Sequence, residues 1–386
     1  MSNIPKLRFP EFKGEWEKSE LGKFTQEITR VNPNSDAPIM MISAASGFIL
    51  QSNKYSKEMT GQSLKKYIEL HSGEFAYNHG ASKLKKYGAC FCLDLDKARI
   101  PFVYHCFSLT EGNKKFFSYL LNRTQLDSEL ARYISSSARM DGLLNISYAD
   151  YMKINISVPA LAEQQKIADF LSNVDSIITA ETKILNTLQK KKKALMQKLF
   201  TQQLRFKSDD GTNFPAWEEK KVIDFAKVDT GANNTQDKVE DGPYPFYVRS
   251  PIIYRSNKYI FDFPEAVLTV GDGVGTGKVF HYVQGKFDCH QRVYVIHDFE
   301  NVLGKYFYFY FSEKFYARVK PMSAKNSVDS VRREMITNMK IPIPCKAEQQ
   351  KIANCLSSLD SLIQTQQKVV TTWQQRKKAL LQQMFV

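Results

Sequence analysis

The sequence predicts a mixed α/β (α+β) fold: two globular segments separated by two long coiled-coil helices, forming an internal repeat. Three observations predict it. Residues 159–200 (PALAEQQKIADFLSNVDSIITAETKILNTLQKKKKALMQKLF) align without a gap to residues 344–385 (PCKAEQQKIANCLSSLDSLIQTQQKVVTTWQQRKKALLQQMF), with roughly half the positions identical. Both copies carry apolar residues in steps of four and three. Short marks of the same duplication also flank the helices, while the sequence between them is unlike.

In the first copy the apolar seam is Ile167, Leu171, Val174, Ile178, Leu185, Leu188, Leu195 and Leu199, with Glu181 and Lys192 in the remaining slots. In the second it is Ile352, Leu356, Leu359, Ile363, Val370, Trp373, Leu380 and Met384, with Gln366 and Lys377 in those slots. A heptad seam sustained this long predicts a coiled coil. Pro159 and Pro344 stop what precedes. Glu163 and Glu348 fall in the first turn and the Lys/Arg runs near the end, as the helix dipole favours. The polar run Glu163-Gln164-Gln165-Lys166 argues against a helix buried all round. Each helix should span about 40 residues, hence about 60 Å.

The flanking marks are Leu7-Arg8-Phe9 with Leu204-Arg205-Phe206, and Trp16-Glu17 then Phe24 with Trp217-Glu218 then Phe225. They place a first globular segment at 1–158, a first long helix at 159–200, a second globular segment at 201–343 and a second long helix at 344–386. In the first segment, stretches beginning at Phe75, Cys90 and Phe102 read as short strands, Lys114 to Ile134 as a helix, 135–142 as a loop, and Ile154 to Val158 as a final strand. In the second, Ala266 to Val270, Lys278 to Val283 and Arg292 to Ile296 read as strands. The aromatic stretch Tyr306 to Val319 fits a helix or a strand. A polar loop begins at Ser323, and Ile341 to Ile343 is the last short strand. The two segments are expected to share a plan despite their unlike sequences.

The chain has 386 residues, 43% hydrophobic and 24% charged, enough for two or three domains with proper cores. No apolar run approaches the ~20 residues of a membrane span, and the start lacks the apolar stretch of a secretion signal. The expectation is a cytoplasmic protein with no membrane partner. Six scattered cysteines suit a reducing compartment, and no second Cys/His pair stands at zinc-site spacing. The net charge of +14 is spread over all four segments, as suits a polyanion contacted over a long surface.

Catalytic signatures are missing. Gly271-Asp-Gly-Val-Gly-Thr-Gly-Lys-Val fails as a phosphate loop, because Asp272 and Val279 stand where Gly and Ser/Thr are required; a turn or bulge is expected. There is no amino-methyltransferase motif, no acidic pair with a Lys arranged for a metal-dependent nuclease and no nucleophile elbow. The chain is therefore expected not to be an enzyme, with no catalytic residue, no metal and no cofactor of its own.

Two loop clusters carry the residue types that read DNA. The first mixes Asn78, His79, Ser82, Lys83, Lys85 and Lys86, with Arg139 further on. The second offers Arg249, Ser250, His290, Gln291 and Arg292, with Lys278, Lys325 and Asn326 to hold backbone. Arg and Lys pair with guanine, Asn and Gln with adenine, and Ser and Lys hold phosphates.

The arrangement resembles the DNA-specificity subunit of type I restriction-modification systems. The resemblance is carried by the repeated Ala-Glu-Gln-Gln-Lys-Ile-Ala (162–168 and 347–353), Leu-Ser-x-x-Asp-Ser (171–176 and 356–361) and Lys-Lys-Ala-Leu (192–195 and 377–380). Ile-Pro-Ile-Pro at 341–344 and its looser counterpart Ile156-Ser-Val-Pro159 belong with them. The resemblance implies two target-recognition domains on double-stranded DNA, each reading half of a split site through the major groove, and two long antiparallel coiled-coil helices that set the distance between the halves and make the internal repeat pseudo-two-fold. It implies docking of two modification (methyltransferase) subunits, which bring S-adenosylmethionine. Restriction/translocase subunits would add ATP- and Mg-dependent cleavage. The rival from another class is a structural adaptor whose coiled coil tethers two protein-binding domains.

Overall fold

The structure, a computed structural model, describes residues 3–54, 62–134, 144–273, 275–323 and 330–386. It divides into two compact units, Met1–Thr182 with Val369–Val386, and Lys183–Lys368. The two long helices, Leu161–Phe200 and Lys346–Gln383, each contribute one part to each unit.

In the first unit, strand Glu17–Glu20 pairs antiparallel with Asn155–Val158, which leads into the first long helix. A four-stranded sheet runs in the order Thr25–Glu27, His105–Leu109, Phe75–Asn78, Ala89–Cys92. Two hairpin-like ladders flank it, Met40–Ser43 with Gly47–Leu50 and Ile68–His71 with Lys97–Ile100. The core is aromatic, with Phe75 stacked on Phe107 at 5.3 Å and Tyr77 on Tyr151 at 4.0 Å. Ile167, Ala168 and Leu171 of the first helix join Met384 and Phe385 in that core, and Asp175 meets Lys377, so the helices run antiparallel here.

The single helix expected over Lys114 to Ile134 is two, Lys114–Leu120 and Asp127–Tyr133. The first is capped by Asn113, whose side chain accepts from Phe116 N. The break has a cause. Asn122 bonds both backbone groups of Cys90 on the sheet's edge strand, drawing the chain out of helical path to satisfy that edge.

In the second unit, Glu218–Lys221 pairs antiparallel with Lys340–Ile343 in the equivalent place. Six strands form one sheet in the order Lys227–Thr230, Val293–His297, Phe261–Val270, Phe280–Cys289, Tyr244–Tyr247, Ile253–Ser256. The ladder of its long hairpin slips between Phe263 and Ala266, where Pro264 has no N–H to give. The ambiguous aromatic stretch is helix Gly304–Ser323. Phe307, Phe311, Phe315 and Val319 recur every fourth residue and are all buried, a helical stripe laid on the sheet. Leu199 and Phe200 share their core with Ile352 and Leu356, and Lys192 meets Asp360, so antiparallel pairing holds in this unit too. The glycine-rich stretch lies between strands Phe261–Val270 and Phe280–Cys289, where Gly273 and Gly277 take φ of 78° and 63°, the turn expected there.

Candidate nucleic-acid interface

The helix starts are anchored by one constellation built twice. Glu163 accepts from Arg8 Nε and Nη2, both at 2.8 Å, and from Trp16 Nε1 at 3.3 Å. Glu348 accepts from Arg205 Nε and Nη2 at 3.1 and 2.7 Å and from Trp217 Nε1 at 2.9 Å. Next to each, Gln164 and Gln349 donate to the carbonyls of Pro159 and Pro344, both at 2.8 Å. Each also accepts a backbone N–H, from Asn113 at 2.9 Å and from Leu303 at 2.8 Å. The sequence suggested an exposed polar face here. Instead all four side chains are buried, because charged and amide partners satisfy them.

This correspondence extends the repeat beyond what the sequence shows. Residues after Asn113 answer to those after Leu303: Trp16 meets Phe116 edge-on as Trp217 meets Tyr306, and Phe24 packs on Phe117 as Phe225 does on Phe307. Lys377 bonds Asp175 and lies over Tyr119, and Lys192 bonds Asp360 and lies over Phe309. Even the chain's first segment fits the pattern. Leu7 N donates to Gln383 O in the first unit as Leu204 N does to Lys198 O in the second.

On these common frames the loops differ. In the first unit, Asn78 ends a strand and turns inward, donating to Ile42 O at 3.3 Å and accepting from Gly80 N at 3.0 Å. His79 is buried, its ring nitrogens 2.7 Å from Leu144 O and 2.9 Å from Val103 O, and it stacks on His105 at 5.0 Å. Burial holds the His105 imidazole below its usual pKa. Ser82 closes a turn by accepting from Lys85 N, and Lys85 Nζ bonds Asn122 O, its pKa lowered by burial. Asn78, His79 and Lys85, expected among the DNA contacts, thus have partners within the fold. Ser82, Lys83 and Lys86 are exposed, Lys86 lying over the Tyr87 ring at 5.1 Å. Arg139, Lys325 and Asn326 lie outside the described residues.

In the second unit the predicted residues come together. Asp272 bridges Arg249 at 3.3 Å and Arg292 at 3.7 Å, and the two arginines are 48% and 65% exposed. His290 is buried; its Nδ1 accepts from Arg292 N at 2.9 Å. Burial, then the charge of Arg249, pushes its pKa down. Ser250 Oγ accepts from Ile252 N at 3.3 Å, and exposed Lys278 lies over the Tyr316 ring at 4.8 Å. Gln291 donates to Asn234 Oδ1 at 2.8 Å. Asn233, Asn234, Asp272 and Asp288 belong to this cluster and were not singled out in the sequence. The two asparagines are marked locally only by the Gly-Ala-Asn-Asn run at 231–234, and Asp272 only by its place in the glycine-rich stretch. Among the described residues no group of three or more His, Cys, Asp or Glu is placed to hold a metal, and no helix is long and apolar enough to cross a membrane.

Fold and loops together define a class: a repeated frame of long helices and buried anchors that presents two different polar loop surfaces. The comparisons agree. The family described as the type I restriction modification DNA specificity domain matches residues 95–190 and 216–372. The chain is 25% identical over 277 residues to the type I restriction enzyme MjaVIII specificity subunit of Methanocaldococcus jannaschii, covering 64% of this chain and 65% of that relative's length. The crystal structure of the type I restriction-modification system S subunit from M. genitalium superposes with a TM-score of 0.64 at 13% identity, over 99% of both chains. A structure described under complex assembly and conformational transition of the type I R-M system gives 0.54 at 14% identity, over 96% of this chain and 97% of that one. The chain belongs to the type I restriction-modification DNA specificity family.

Proposed function

We propose that this chain is the sequence-specific DNA-binding subunit of a type I restriction-modification complex. Each globular unit reads one half of a bipartite target, and the repeated helical regions dock two methyltransferase subunits. The observation that carries this reading is the twofold recurrence of the anchor and the Lys–Asp bridge around unlike loops. Repeated faces suit identical partners, and unlike loops suit two unlike half-sites. Helices of about 40 residues are about 60 Å long, enough to set half-sites a turn of B-DNA (~34–36 Å) or more apart. S-adenosylmethionine, ATP and Mg belong to the partner subunits, with restriction/translocase subunits joining the same complex. Arg249, Arg292, Lys278, Lys83 and Lys86 offer exposed positive charge for phosphates.

Two incubations test it. With the methyltransferase subunits, the chain should direct labelled methyl transfer to DNA carrying one defined split sequence, with binding that weakens steeply as salt rises. Without them, labelled S-adenosylmethionine should leave DNA unmodified. Methyl transfer by the chain alone, or binding without sequence preference, overturns the reading.

A further inference from the structure

One element of the second unit is built finely enough to name the base it would read, an inference that rests on the DNA-binding role just proposed. Asp288 is 1% exposed, and its carboxylate accepts from neutral donors: Asn233 Nδ2 at 2.8 and 2.7 Å and Ser256 Oγ at 2.8 Å. A buried carboxylate is costly unless such bonds are made, so Asp288 holds Asn233 firmly. Asn233 in turn forms a backbone bridge to His290 and accepts from Gln291 N at 2.9 Å. The approach is close: a Cβ at Gly231 would lie 2.0 Å from Cys289 O, so only glycine lets the loop lie there. The base of the loop is therefore fixed on the strand that ends at Cys289.

On that base sit two exposed amides. Gln291 Nε2 donates to Asn234 Oδ1 at 2.8 Å, and Asn234 also caps the turn Thr235–Asp237. The pair leaves the Gln291 carbonyl oxygen as acceptor and the Asn234 amide nitrogen as donor for a ligand. In the major groove adenine presents one donor, N6, and one acceptor, N7. Guanine presents two acceptors there and cytosine a donor alone. One acceptor beside one donor matches adenine. Side chains already bonded to each other also lose less freedom on binding. Arg292, next in sequence, and Arg249 are held by Asp272 and supply charge for the flanking phosphates.

We propose that the Asn234–Gln291 amide pair reads the adenine edge of one A·T pair in the half-site of the second unit, and that Asp288 is its positioning residue. The test uses the full chain with its methyltransferase partners on a randomised DNA library, with methylated sequences recovered and counted. Gln291→Ala and Asn234→Ala should each relax the same single position of one half-site, by roughly 5- to 150-fold, and leave the other half unchanged. Gln291→Glu should move the preference there toward cytosine, whose N4 it accepts. Asp288→Asn should relax that position alone, whereas a merely structural role would lower methylation at all positions together. If Gln291→Ala and Asn234→Ala keep the original target, or weaken every position uniformly, the inference fails and the DNA-binding reading stands. If the unaltered complex selects no defined sequence, the DNA-binding reading itself fails.

Discussion

Replacing Glu348 with alanine removes the acceptor of three hydrogen bonds at the start of the second long helix. Arg205 loses contacts at 3.1 and 2.7 Å and Trp217 Nε1 one at 2.9 Å. Glu348 is fully buried, and breaking a buried charge pair costs about 3–5 kcal/mol. Arg205 keeps the carbonyls of Phe214 and Pro215 and is 26% exposed, so water relieves part of the loss and the lower figure applies, about 3 kcal/mol. The segment that Arg205 and Trp217 tie down, residues 204–217, should open first. At 1.36 kcal/mol per tenfold, its backbone amides should lose about 150-fold in hydrogen-exchange protection. Glu348→Gln keeps one acceptor but turns an amide NH2 toward the guanidinium, and should recover only part of this. Glu163→Ala should do the same to residues 7–16 of the first unit. Exchange at 204–217 changed less than threefold in a folded Glu348→Ala chain refutes the anchor, as does equal loss across both units.

Three further outcomes follow from the same contacts. A double-mutant cycle on Lys377 and Asp175 should give a coupling of about 0.5–1 kcal/mol, because the pair is partly exposed, and the cycle on Lys192 and Asp360 should match it; unequal couplings in chemical denaturation contradict a duplicated bridge. His281 is half-buried against Tyr247, and desolvation holds its pKa below the usual 6.5, with His105 and His290 shifted the same way. The unfolded chain takes up these protons first, so stability is intact above pH 6.5 and falls as pH drops below it; thermal unfolding of His281→Phe from pH 7.5 to 5 should show a shallower fall. Adding one heptad to both long helices lengthens each by about 10 Å and should widen the preferred gap between half-sites by about three base pairs, as read by methylation of targets with graded gaps.

The long helices were legible because an apolar seam and a duplication are local, periodic signals. The burial of Glu163 and Gln164 was not. The Arg8 and Trp16 that satisfy Glu163, and the Asn113 backbone that donates to Gln164, lie far away in sequence, so the stretch alone reads as solvated. Tyr306 to Val319 fits either element in sequence because its aromatic run Tyr306 to Phe311 suits both a helix and a strand; the stripe Phe307, Phe311, Phe315, Val319 takes its meaning only from the sheet beneath it. Residues 114–134 lost their middle to the bonds between Asn122 and an edge strand, a tertiary override of good local helix pattern. The loops divide likewise. Arg249, His290, Gln291 and Arg292 were recognisable by residue type and do meet. Asn78 and His79 carry the same alphabet but use it to hold their own backbone. Asn234 has no pairing signal in its own neighbourhood, because its partner Gln291 is 57 positions away.

Two unlike readers on a duplicated frame should each set one half of the target. Sequencing the methylated positions in a genome that expresses this chain with its partner subunits tests this most directly, together with a variant in which residues 20–155 come from a different recognition domain. The expected result is one bipartite motif with a fixed gap, and replacement of one half only in the variant. A single contiguous motif, or a change in both halves, would contradict it.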